Sequence, residues 1–82
     1  MLILNVRPTF GEKVLATFDL ELGGNLRLYN MALRRTPDGR LRSVAPKALG
    51  KHAATFAPDL ADQISRAAHA ALEGGRAAHA SQ

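Results

Sequence analysis

Residues 26–46, LRLYNMALRRTPDGRLRSVAP, read as two strands joined at Thr36-Pro37-Asp38-Gly39, and the remainder of the chain is fitted around that hairpin. Proline presets φ for the second position of a type I turn, and a glycine after aspartate accepts the left-handed backbone that returns the chain to a strand. Arg34, Arg35, Arg40 and Arg42 crowd the tip with Asp38 alone against them. A three-residue loop with a bulge at Gly39 sets Arg34 opposite Arg42; a two- or four-residue loop sets Arg35 opposite Arg40. Either register opposes two guanidinium groups, which weakens the ladder and is relieved by an anionic partner. A solvated tip without a partner is the competing explanation.

Upstream, residues 26–33 place Leu26 and Leu28 on one face but Tyr29, Met31 and Leu33 on the other. Either a bulge switches the faces, or the strand is apolar on both sides beneath a cover. The second reading is preferred, with another subunit as the cover, so Tyr29, Met31 and Leu33 form the expected homodimer interface. Gly23-Gly24-Asn25 joins this strand to residues 13–22. There Val14, Ala16, Phe18, Leu20 and Leu22 alternate with Lys13, Thr17, Asp19 and Glu21, giving one buried and one wet face. Residues 2–7 suit a first strand, with Leu2, Leu4 and Val6 on one side and Asn5 and Arg7 on the other, ended by Pro8. Phe10 is expected to fold back onto the core edge.

Downstream, residues 47–52 read as a basic loop and Phe56 as an anchor. Pro58 opens a helix whose first turn carries Asp59, with Asp62 soon after, both complementing the positive end of the dipole. Leu60, Ile64, Ala67, Ala68, Ala71 and Leu72 form one apolar stripe. Gly74-Gly75 is expected to end the helix and residues 76–82 to form a disordered tail. The fold expected is α+β: a single domain over residues 1–75, with a small antiparallel sheet of about four strands and one C-terminal helix packed on it.

A chain of 82 residues makes one such domain and buries roughly 60 to 65% of its unfolded surface. It has no cysteine, which suits a reducing compartment. Its apolar runs fall far short of the about 20 residues that span a bilayer, so neither a membrane span nor a signal peptide is expected and the localisation expected is cytoplasmic. The net charge of +4 is unevenly spread. Residues 34–52 hold six cations, including Lys47 and Lys51, against one acid, while the segments on either side are near neutral. Such clustering points to a polyanion-binding surface.

Chemistry beyond binding finds no support in the residues. His52, His69 and His79 have no partner at metal-ligand spacing, and Ser43, Ser65 and Ser81 lack a nucleophile elbow or a neighbouring base. No glycine loop of phosphate-cradling type occurs. The chain is therefore not expected to be an enzyme or to hold a cofactor or metal; only a pocket gathering His52, Asp19 and Asn30 would revive catalysis. One near-neutral helix also excludes a helix-turn-helix. Nucleic acid would have to meet the sheet and hairpin, with Tyr29 as the one candidate for base stacking.

Together the N-terminal ILNVRPTFGEKVLATFDLEL, the RRTPDGRLRSVAP hairpin and the single following helix resemble the stage V sporulation protein G (SpoVG) family, over most of the chain. The most specific element is the basic pair followed by Thr-Pro-Asp-Gly. The stretch between the Phe18 strand and that turn is shorter than the family pattern by roughly one strand and its connection, so the chain resembles a shortened variant. The resemblance implies a small antiparallel sheet with a C-terminal helix, dimers formed through the sheet, and DNA or RNA binding in bacterial regulation, with Arg34 and Arg35 among the contacts. The expected function is a homodimeric nucleic-acid-binding regulator that grips phosphates with Arg34, Arg35, Arg40 and Arg42, extended by Lys47 and Lys51. The alternative is a module that meets an acidic protein partner through the same hairpin.

Overall fold

The structure, a computed structural model, describes residues 1–11 and 13–80, with the backbone alone for residues 75–80. Strands β1 (Leu2–Pro8), β2 (Val14–Leu22), β3 (Leu26–Arg35) and β4 (Leu41–Val44) form an antiparallel meander in the order β1-β2-β3-β4. A two-stranded hairpin, β5 (Lys47–Ala48) and β6 (Lys51–His52), follows, and helix α1 (Pro58–Ala80) packs across one face of the main sheet. The molecule is thus α+β, a four-stranded antiparallel sheet with a single C-terminal helix.

The core lies between sheet and helix. Phe18 and Leu20 of β2, Met31 and Leu33 of β3, and Ala45 after β4 pack with Ile64 and Ala68 of α1, with Ile3, Val6, Leu15, Leu28 and Leu41 at the margin. The helix presents Leu60, Ile64, Ala68 and Leu72 at a four-residue spacing, the row that stacks along one helix face. Among the described residues a polar link crosses this interface: Ser43 and Ser65 hydroxyls lie 3.0 Å apart, and Ser65 also donates to the Ala61 carbonyl, so neither buried hydroxyl is left unsatisfied.

Three irregularities reset the faces expected from alternation. Asn5-Val6 sits opposite Phe18 as an extra residue in β1, Leu15 is extra in β2, and Tyr29-Asn30 is extra in β3. Asn5 and Asn30 have φ of 51° and 58°, a left-handed backbone that asparagine tolerates better than most residues. The consequences are concrete. Ile3 and Val6, rather than Leu2 and Leu4, face the helix; Leu15 replaces Val14; and the switch in β3 turns Leu28, Met31 and Leu33 all inward. Face switching by a bulge is therefore the correct reading of β3, and no second subunit is needed to cover it. Met31 and Leu33 have no exposed surface, so of the three residues assigned to a dimer interface only Tyr29 is on the outside.

Two further expectations change. Phe10 does not fold onto the core edge but is fully exposed. The helix runs through Gly74-Gly75 to Ala80 instead of stopping at the glycines. Glycine costs about 1 kcal/mol against alanine inside a helix, yet no proline follows and Ala77, Ala78 and Ala80 are strong helix formers. Residues 81 and 82, the end of the expected disordered tail, lie outside the described residues. No helix is long and apolar enough to cross a membrane, among the described residues.

Candidate functional site

The hairpin between β3 and β4 fixes the site. Thr36 and Arg40 close it: Thr36 N–H donates to the Arg40 carbonyl (2.8 Å) and Gly39 N–H to the Thr36 carbonyl (2.9 Å). The Thr36 hydroxyl also bonds the Asp38 carboxylate and accepts from Arg40 N–H (3.1 Å). Gly39 at φ 86° supplies the left-handed residue that a three-residue loop requires. This is the register that sets Arg34 directly opposite Arg42 and Arg35 opposite Leu41. Leu33 and Ser43, the preceding pair, face the core, so strand alternation turns Arg34 and Arg42 to the face away from the helix.

A cleft of about 630 Å³ opens at this pair. Lys13, Arg34, Arg35 and Arg42 line it together with Val44 and His52, and the start of the tip, Thr36-Pro37, forms one wall. Four of these side chains are cationic and, among the described residues, none is acidic. Lys13 is held there by pairing, since its carbonyl accepts the Arg35 N–H at 3.0 Å. His52 is fixed by its Nδ1–H donating to the Ala45 carbonyl at 2.9 Å, which leaves Nε2 as the ring nitrogen for a ligand. Arg35 reaches across the tip to the Gly39 carbonyl (3.1 Å). Among the described residues, Lys13, Arg34, Arg35 and Arg42 make no ion pair.

The six cations expected to grip phosphates fall into two groups. Arg34, Arg35 and Arg42 are brought together in the cleft. Arg40 is not: it stands at the tip, 3.5 Å from the Asp38 carboxylate, and the hydrogen bond from Thr36 holds Asp38 below its usual pKa. Lys47 and Lys51 are exposed on β5 and β6 and do not line the cleft. Two titratable lining residues, Lys13 and His52, are absent from the expected set. Lys13 could have been found by counting outward from the Gly23-Gly24-Asn25 turn, which brings the start of β2 beside the end of β3. His52 carries no such signal, because its position depends on how the β5–β6 hairpin folds back onto Ala45.

A second polar cluster lies lower on the same outer face. Asp19, expected on a wet face, is only 6% exposed. Its Oδ2 accepts from Asn5 Nδ2 (3.0 Å), and its Oδ1 accepts from the Asn30 backbone N–H (3.0 Å) and Arg7 Nη2 (3.2 Å). Arg7 also donates to Thr17 Oγ1 (3.0 Å) and to Asn30 Oδ1 (3.2 Å). These bonds, led by Asn5 and then Asn30 and Arg7, hold the Asp19 carboxyl down at about 2, against the opposing effect of burial. The cluster gathers Asp19 and Asn30, but His52 is bound at Ala45, so the three residues named for a catalytic pocket are not together. No group of three or more potential metal ligands occurs among the described residues.

Comparisons with protein-family models, with curated proteins and with solved structures find no match to this chain.

Proposed function

We propose that the protein binds nucleic acid, holding phosphates in the cleft with Lys13, Arg34, Arg35 and Arg42. One observation carries the reading: Arg34 and Arg42 are forced opposite each other across a ladder, and among the described residues neither has a carboxylate partner. Like charges so placed cost stability unless an anion sits between them. Guanidinium groups match phosphate oxygens in pairs, and backbone contacts of this kind give affinity before they give sequence preference. The resemblance of the Arg34–Gly39 motif to the stage V sporulation protein G family supports the same class of partner and a regulatory role. Homodimerisation keeps only Tyr29 of its three expected contacts; sedimentation over the concentrations used for binding decides it.

The test is the dependence of affinity on salt. Four cations neutralising about four phosphates give a slope of log affinity against log salt of about −3.6 on duplex and about −2.8 on a single strand. A slope near zero sinks the proposal. An acidic protein segment, the other partner compatible with these cations, would instead survive nuclease treatment in a copurified complex.

A further inference from the structure

Phe10 is wholly in water, at 105% of its reference exposure, and does no packing for the fold. It stands in the turn between β1 and β2, which is closed by Thr9 N–H donating to the Leu15 carbonyl (3.1 Å) and by the Thr9 hydroxyl bonding the Val14 carbonyl. Lys13, three residues on, lines the cleft, and the Lys13–Arg35 backbone bond ties this turn to the end of β3. In a meander the β1–β2 turn and the β3–β4 tip fall at the same end of the sheet, so an exposed aromatic ring stands at the end of the sheet where the cationic cleft opens. Tyr29, the one stacking candidate the sequence offered and a residue assigned to the dimer interface, lies toward the other end of β3, beside Arg27, whose charge is held by Glu21.

We infer that the cleft takes single-stranded nucleic acid, with a base stacked on Phe10 and the adjoining phosphates on Lys13, Arg34 and Arg42. The inference rests on the proposed function and narrows it. A stacked duplex offers no free base face to Phe10, whereas a single strand does, and base–aromatic stacking accepts any base. A volume of about 630 Å³ is also that of a pocket enclosing one small group, which suits a nucleotide splayed from its neighbours.

The experiment compares a labelled oligothymidylate with its duplex on oligoadenylate, by anisotropy, for the wild type and two variants. Phe10→Ala lowers single-strand affinity about tenfold, leaves the salt slope unchanged because no cation is lost, and leaves duplex affinity as it was. Phe10→Trp keeps the affinity and gives emission that is quenched as the strand binds, in a chain with no other tryptophan. Duplex binding as tight as single-strand binding in the wild type, or unchanged single-strand affinity in Phe10→Ala, overturns the inference and leaves the phosphate-binding cleft standing. Failure of the wild type to bind either polymer removes both.

Discussion

Arg7 and Arg34 stand on the same face of one sheet, and their surroundings are opposite. Arg7 has Asp19, Thr17 and Asn30 within hydrogen-bonding distance and sits in a cluster built by two bulges. Arg34 has Arg42 across the ladder and, among the described residues, no carboxylate partner. The fold has satisfied one arginine and left the other waiting. Composition cannot tell them apart, yet one contributes to the free energy of folding while the other is available to a ligand. Charge that is already compensated points to a structural residue; charge held in place and uncompensated among the described residues points to a candidate site.

The largest expected effect tests that division directly. Arg34→Ala with Arg42→Ala lowers affinity for nucleic acid about a hundredfold at moderate salt and flattens the duplex slope by about two phosphates' worth, roughly 1.8. The melting temperature stays level or rises slightly as the repulsion goes. Arg7→Ala does the reverse, lowering the melting temperature with affinity kept within about twofold. If Arg7→Ala loses binding without losing stability, the division between the two arginines fails.

Next in size is the carboxylate itself. Asp19→Ala removes the acceptor of three hydrogen bonds and leaves Arg7 and Asn5 without their partner, and the melting temperature falls by on the order of 10 °C. The same cluster sets an acid limit. Because the folded carboxyl titrates near 2 and an ordinary aspartate at 3.8, the unfolded chain binds more protons between these values. Stability is therefore complete above about pH 4 and declines as pH falls toward 2. Thermal melts across that window show the decline in the wild type, and Asp19→Asn removes this component of it.

A smaller effect concerns the uncompensated arginines. Sulfate raises the melting temperature by a few degrees over chloride at equal ionic strength, through binding to the folded state, and the Arg34→Ala, Arg42→Ala double variant loses that increment. Smallest is Leu49, which is fully exposed with φ of 52° at the first centre of the β5–β6 turn, followed by Gly50 at 80°. Both signs fit a type I′ turn, whose first position favours asparagine. Leu49→Asn raises stability by about 0.5 to 1 kcal/mol in denaturant melts without changing affinity, since Leu49 does not line the cleft.

The meander, the Thr36–Gly39 turn and the helix stripe were legible because each is written in local periodicity or turn chemistry. The cluster of Arg34, Arg35 and Arg42 followed once the loop length was known, and turn chemistry had already narrowed that to two registers. What escaped were the consequences of breaking the period. Asn5 and Asn30 were visible as asparagines inside apolar strands, residues that strands disfavour and left-handed bulges accept. Alternation carried past them, and past the extra Leu15, assigned Leu2, Val14, Met31 and Leu33 to the wrong faces, while Asp19 stays on the outer face but is covered there by Asn5, Asn30 and Arg7. Phe10 escaped for a different reason: burial of a turn aromatic is decided by which elements lie nearby, and no local pattern encodes that.

The bulge at Asn5 has an effect outside the molecule. Strand β1 is an edge of the sheet, and an unbroken edge offers a row of donors and acceptors on which another chain can build. The extra residue interrupts that row at its middle, and the opposite edge, β4, is four residues long. The asparagine that anchors Asp19 thus also breaks the longer of the sheet's two edges, leaving no unbroken edge of more than four residues for another strand to extend.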